Sequence, residues 1–284
     1  MRLATYSVGG RERIALVTGD GLIDLPAHLP KLPRDMVGLM SMWSQVRPTL
    51  EKLASTANAD HRLSDVHLLA PVPRPRKIMA MGLNYRDHIE ESGLSVPKQQ
   101  TWFSKAVTAI NGPFDPIELP RVSEQLDYEA ELVVIIGKRC RHVLKERARQ
   151  VIFGYCAGND VSVRDWQFHS TQWTIGKSFD THAPIGPWIV TADEVFDPHS
   201  LAIRSLVNGE VRQNSNTRHL IFNVYDLVAH LSQAMTLEPG DVIFTGTPGG
   251  VGAARKPPAW LKAGDIVRVE IDGIGAIESK VKPE

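Results

Sequence analysis

Between Asp127 and Ile136 the chain reads Asp-Tyr-Glu-Ala-Glu-Leu-Val-Val-Ile-Ile, which sets two carboxylates into a run otherwise suited to burial. Read as a strand, a period of two puts Glu129, Glu131, Val133 and Ile135 on one face and Tyr128, Ala130, Leu132, Val134 and Ile136 on the other. Two carboxylates on one face at the mouth of a buried strand repel each other and lose solvation, a severe cost unless a cation compensates. The alternative is a strand end whose glutamates reach solvent or pair with arginines. A third acid shifts that balance: Asp160 interrupts the largely apolar run 154–163, where a core residue would be expected. Three oxygen ligands with no histidine or cysteine set around them suit Mg2+, Mn2+ or Ca2+ rather than zinc.

His88 and Glu91 lie three apart in Asn84-Tyr85-Arg86-Asp87-His88-Ile89-Glu90-Glu91, so on a short helix capped by Asn84 they share a face. A carboxylate beside an imidazole orients the ring and raises its basicity, as a general base acting on water requires; the alternative is an ordinary exposed charge pair. Gly82 and Ser92-Gly93 flank this segment, which predicts that His88 to Glu91 becomes ordered only around a bound substrate and that the loop beyond, to about Gln100, shuts with it. Arg164 and Gln167 follow directly from the Asp160 run, and Lys177 follows a glycine among few other charges. The turn Thr245-Gly246-Thr247-Pro248-Gly249-Gly250-Val251-Gly252 offers backbone N–H groups and hydroxyls that could cradle a carboxylate. Each of these also reads as a surface arginine, a solvated lysine or a plain turn. The turn lacks the Lys-Ser/Thr ending of a phosphate loop, and no Gly-x-Ser-x-Gly elbow occurs.

The elements that must position these groups are mostly strands, expected at 77–81, 128–136, 154–163, 201–207, 241–245 and 266–271. Helices are expected at about 35–53, 143–151 and 221–235, the last followed by the stop signal Glu238-Pro239-Gly240-Asp241. Residues 1–70 read as a small β-containing module and the proline-rich 71–77 as a linker, with the catalytic domain at 78–284. Thirty-two basic residues balance thirty-two acidic ones, which removes the electrostatic footprint of a nucleic-acid or anionic-membrane binder. Cys140 and Cys156 read as buried free thiols. With no apolar segment behind a basic start and no run near the roughly 20 apolar residues of a membrane span, the expected location is the cytoplasm.

The ordered set Asn-Tyr-x-x-His-x-x-Glu, Glu129-x-Glu131, Gly-Asn-Asp160, Arg164-x-x-Gln167, Gly-Lys177-Ser-Phe-Asp and Thr-Gly-Thr-Pro-x-Gly-Val-Gly resembles the fumarylacetoacetate hydrolase family from about Lys77 to the C-terminus. The resemblance implies a β-rich α+β fold, a mixed β-sandwich roll with a small N-terminal module, assembled as a homodimer. It implies Glu129, Glu131 and Asp160 as ligands of Mg2+, with Mn2+ or Ca2+ as alternatives, and a His88–Glu91 pair that activates water. Lys177 joins the catalytic set, and Arg164, Gln167, Thr247 and Tyr85 contact a small 2-oxo acid. The branch most similar hydrolyses acylpyruvates and diketo-sugar acids, so the expected reaction is C–C cleavage of a 2,4-dioxo acid to pyruvate and a carboxylic acid. The same site chemistry also suits an oxaloacetate-type decarboxylase, or a hydratase or tautomerase of an unsaturated acid. A non-catalytic protein stabilised by a structural ion is the remaining reading.

Overall fold

The computed structural model describes residues 1–93 and 95–284; the segment expected to order around a ligand includes Leu94, which lies outside them. Three N-terminal strands, β1 (Arg2–Val8), β2 (Arg11–Thr18) and β3 (Gly21–Asp24), lead into helices α1 (Met36–Ser41) and α2 (Trp43–Thr56). Then come β4 (Ile78–Gly82), α3 (Arg86–Ser92), β5 (Thr101–Ser104), β6 (Ala130–Ile136), β7 (Ile152–Asn159), α4 (Arg164–Gln167) and β8 (Ala183–Thr191). The chain closes with β9 (Ala202–Val207), β10 (Glu210–Asn216), α5 (Val224–Ala234), β11 (Val242–Phe244), β12 (Ile266–Ile271) and β13 (Gly275–Pro283).

One large mixed sheet runs β3-β2-β1-β8-β7-β6-β11-β4-β5, so the N-terminal strands continue the sheet that carries the acids, joined through the antiparallel β1–β8 pair. A second sheet runs β10-β9-β12-β13 and ends on the short strand Ile117–Leu119. The period of two in β6 sorts its side chains between two cores. Val133 and Ile135 pack with Leu3, Ile14, Met40 and Leu50, beneath α1 and α2. Leu132, Val134 and Ile136 pack with Ile203, Val269 and Ile277 of the second sheet and with Val228 of α5. This is the mixed β-rich α+β architecture expected, with both faces of the central strands covered.

Several local expectations change. The helix expected at 143–151 is a 3-10 turn, Lys145–Gln150, because only Ala148 in it is buried and there is no apolar stripe to dock a full α-helix. The expected α3 cap is also wrong: Tyr85 occupies the N-cap position without a side-chain hydrogen bond. Asn84 instead donates to the Phe222 and Thr245 carbonyls at 3.0 and 2.7 Å and accepts from Phe222 N–H at 2.9 Å, bracing three loops. Cys156 is buried and free, and Cys140 is half-buried and free. No helix among the described residues is long and apolar enough to cross a membrane.

Candidate active site

Glu131 lies on β6, while Glu129 immediately precedes that strand and Asp160 immediately follows β7, the antiparallel neighbour of β6. Pairing of Ala130 with Asn159 brings the three acids to one end of the hairpin, and the Asp160 N–H donates to the Glu129 carbonyl at 2.9 Å. One carboxylate oxygen from each of Glu129, Glu131 and Asp160 lies within 4.8 Å of the others, and all three residues are buried.

Three cations brace this cluster. Lys177 Nζ donates to Glu129 Oε2 at 2.7 Å and Asp160 Oδ2 at 2.9 Å. Arg164 pairs with Glu129 Oε1 at 2.7 Å and donates through Nε to Asp127 Oδ2 at 2.8 Å. Lys105, which no sequence motif singles out, donates to Asp160 Oδ1 at 2.5 Å and to the Val161 carbonyl at 3.2 Å. With Asp127 there are four carboxylates against three cations.

The uncompensated acid is Glu131, whose only polar contact among the described residues is the Gly246 N–H at 2.6 Å. Burial pushes its carboxyl well above the usual range, and the charges of Asp160 and Glu129 push the same way. Glu129 goes in the opposite direction. Burial opposes its charge, but Lys177 and Arg164 hold the carboxyl down at about 2. The two lysines differ for a similar reason. Burial lowers both, but Lys177 faces two carboxylates and ends above the ordinary lysine value, whereas Lys105 faces one and is repelled by Lys177. An all-oxygen donor set with one carboxylate lacking a cation fits a hard divalent ion, and the buried acidic triad supports one divalent metal.

Two glycines make this packing possible. A Cβ on Gly176 would sit 2.2 Å from the backbone nitrogen of Gln167, so only glycine lets the Lys177 segment lie against α4. Gly246 has φ of 106° and turns its N–H onto Glu131.

A cavity of about 610 Å3 opens above the cluster, lined by Glu129, Arg164, Gln167, Lys177, Thr247 and His88. The remaining sequence candidates take up varied positions around it. His88 Nδ1 stands 3.6 Å from Glu91 Oε2, and it is buried without a hydrogen-bond partner among the described residues. Glu91 Oε2 accepts instead from Gly250 N–H at 2.8 Å. Burial opposes the Glu91 charge, but His88 and that N–H hold its carboxyl below the usual range. Gln167 accepts from Arg164 at 2.9 Å, which leaves its amide N–H groups free to donate into the cavity. Thr247 donates its hydroxyl proton to the Ala130 carbonyl at 2.9 Å and accepts from Gln213 at 2.8 Å, so its free capacity is that of an acceptor. Tyr85 is fully buried and outside the cavity lining, and its hydroxyl is unpartnered. Gln213, on β10, also had no sequence signal. Its carboxamide accepts from Ala130 N–H at 2.9 Å and donates to the Pro248 carbonyl at 2.8 Å, pinning the 246–250 turn to β6.

Fold and site together define a β-rich protein with a buried acid cluster, suited to a divalent ion, at the base of a cavity with largely apolar walls. The family model described as fumarylacetoacetate hydrolase C-terminal matches residues 77–282, and the chain belongs to that family. The mitochondrial oxaloacetate tautomerase of Xenopus laevis is 44% identical across 99% of this chain and 90% of its own length. The maleylpyruvate hydrolase of a Sphingobium species, solved with manganese and pyruvate, superposes with a TM-score of 0.85 at 36% identity, covering 100% of this chain and 99% of that one. The 5-carboxymethyl-2-hydroxymuconate delta-isomerase of Mycobacterium smegmatis gives 0.80 at 35% identity, covering 100% of both chains.

The expected cytoplasmic location is corrected by the mitochondrial relative. Free thiols and the lack of an apolar N-terminal segment do not separate the two compartments, since mitochondrial targeting segments are amphipathic and arginine-rich rather than apolar.

Proposed function

We propose that this family member is a divalent-metal-dependent enzyme that moves a proton at C3 of an oxaloacetate-type 2-oxo acid, interconverting its keto and enol forms. The observation that carries the reading is His88, which lines the cavity above Glu129 and Lys177 with an unpartnered ring nitrogen. The Xenopus relative, named an oxaloacetate tautomerase, supports the same reaction class.

Glu129, Glu131 and Asp160 would hold the ion, Mg2+ or Mn2+, which supplies Lewis-acid polarisation of the 2-oxo group when bound. Lys177, held protonated by Asp160 and Glu129, presents positive charge beside the oxygen where negative charge collects as the C3 proton leaves. Gln167 donates from the cavity wall toward the substrate carboxylate. His88 takes a C3 proton from the keto form and delivers it to the C2 oxygen to complete the enol, the reverse transfer restoring the keto form, with the Glu91 carboxylate 3.6 Å from the ring that carries the proton. The apolar walls of Phe103 and Trp173 keep bulk water from the reacting carbon.

One feature favours a second reading, acylpyruvate hydrolysis: the same His88–Glu91 pair could orient a water against the C4 carbonyl. Chelator-stripped protein, reloaded with Mn2+, is assayed for loss of the enol absorbance of oxaloacetate and for pyruvate release from a series of acylpyruvates. Metal-dependent tautomerisation faster than the metal and buffer controls supports the proposal. Pyruvate release from acylpyruvates without tautomerisation rejects it in favour of hydrolysis.

A further inference from the structure

The cations of the cavity wall fall into two groups. Arg164 and Lys177 are committed to Asp127, Glu129 and Asp160 at 2.7–2.9 Å. Arg255 and Lys256 line the same cavity but form no ion pair within hydrogen-bonding reach among the described residues. The Nε of Arg255 is buried and lacks a hydrogen-bond partner among the described residues, while Lys256 is exposed at the rim. A desolvated guanidinium N–H left unpaired is costly, and a carboxylate accepting from it removes that cost. Glu91, an acid of the same wall, accepts from Gly250 N–H at 2.8 Å and forms no ion pair with Arg255 among the described residues.

Arg255 is also held in place. Gly252 and Ala253 N–H groups donate to the two oxygens of Asp127 at 2.8 and 2.9 Å, and Arg255 N–H donates to the Gly252 carbonyl at 3.3 Å. Asp127 is the same residue that anchors Arg164, so the 252–255 turn and the acid cluster share one support. The same cavity wall also carries Phe168, Trp173, Ala254 and Pro258, apolar surface that suits a short carbon chain.

Resting on the proposed reaction of an oxaloacetate-type acid, we infer that Arg255 is the specificity-determining residue that binds the carboxylate remote from the 2-oxo end, with Lys256 neutralising it at the rim. The fork of Arg255 suits a bidentate carboxylate contact, and Lys256 adds a point charge.

The test compares ligands that share a 2-oxo acid end and differ only in the distal group. Calorimetry on Mn2+-loaded protein measures 2-oxoglutarate against 2-oxopentanoate, with oxalate as a probe of the inner end alone. Wild type is expected to bind 2-oxoglutarate about 10- to 100-fold more tightly than 2-oxopentanoate, the range for a hydrogen-bonded charge. Arg255→Gln is expected to abolish that preference while binding oxalate as wild type does, and Arg255→Lys to restore part of it. Oxalate binding also reports that each variant is folded. Absence of a preference in wild type, or a loss in Arg255→Gln that is equal for all three ligands, overturns the inference. Because the measurement is of binding, a failure to tautomerise oxaloacetate would reject the proposed reaction without deciding this result.

Discussion

Lys105→Met is the substitution whose consequences follow most directly from the cluster. Lys105 and Asp160 are both fully buried, and their 2.5 Å contact is one of two that hold the Asp160 carboxylate. Methionine fills a similar volume but carries no charge, so Asp160 Oδ1 loses its main donor in a place water does not reach. Breaking a buried pair from one side costs about 3–5 kcal/mol. Lys177 still neutralises the other oxygen, so the lower end of that range, ~3 kcal/mol, is expected. At roughly 2–4 °C per kcal/mol for a chain of this size, the melting temperature in chelator should fall by about 6–12 °C. A divalent ion replaces the missing positive charge. Mn2+ should therefore raise the melting temperature of the variant more than that of wild type, since binding to the folded state alone stabilises it by mass action. Thermal and urea unfolding in chelator and in Mn2+ measure both effects. A variant within about 1 kcal/mol of wild type in chelator, or an equal Mn2+ response in the two proteins, would refute a compensating role for Lys105.

Three further substitutions or measurements probe the rest of the site. His88→Ala should lower kcat for oxaloacetate tautomerisation roughly a hundred- to ten-thousandfold, the range for a positioned acid–base group, while oxalate binding is retained; equal losses in both would move His88 to a binding role. Gly176→Ala forces a Cβ against the Gln167 backbone and should cost about 1–3 kcal/mol in urea unfolding, with Lys177 displaced and kcat reduced; wild-type stability would mean that the close approach is relaxed easily. Homodimerisation, expected from the family resemblance, predicts a mass by sedimentation equilibrium of about twice that of the monomer at micromolar concentration, and a fully active monomer would contradict it.

The sequence exposed the acids because they were out of place. Glu131 in a strand of Leu, Val and Ile, and Asp160 at the end of another, break a hydrophobic period that is otherwise strict, and such a break needs a partner. Lys177 and Arg164 were legible for a different reason, as members of an ordered motif set. Lys105 and Gln213 were not, since each acts only through a contact that forms when distant segments meet. Lys105 reaches Asp160 across 55 residues, and Gln213 reaches the Ala130 N–H across 83. Neither sits in a pattern that a period or spacing can detect. The same distinction explains Asn84, whose type suits a helix cap but whose amide is used between loops more than a hundred residues apart in sequence. The helix expected at 143–151 failed because favourable residues were present without an apolar face to bury.

The whole proposed chemistry depends on Glu129, Glu131 and Asp160 together holding one divalent ion. Glu131→Gln removes the one charge in the cluster that no cation balances, while its carboxamide oxygen can still accept from Gly246 N–H. Calorimetric titration of Mn2+ into chelator-stripped protein should give one site per chain in wild type, and Glu131→Gln should weaken it at least about 100-fold with unfolding unchanged, as expected for loss of a charged oxygen ligand. Equal Mn2+ affinity in the two proteins would contradict the claim.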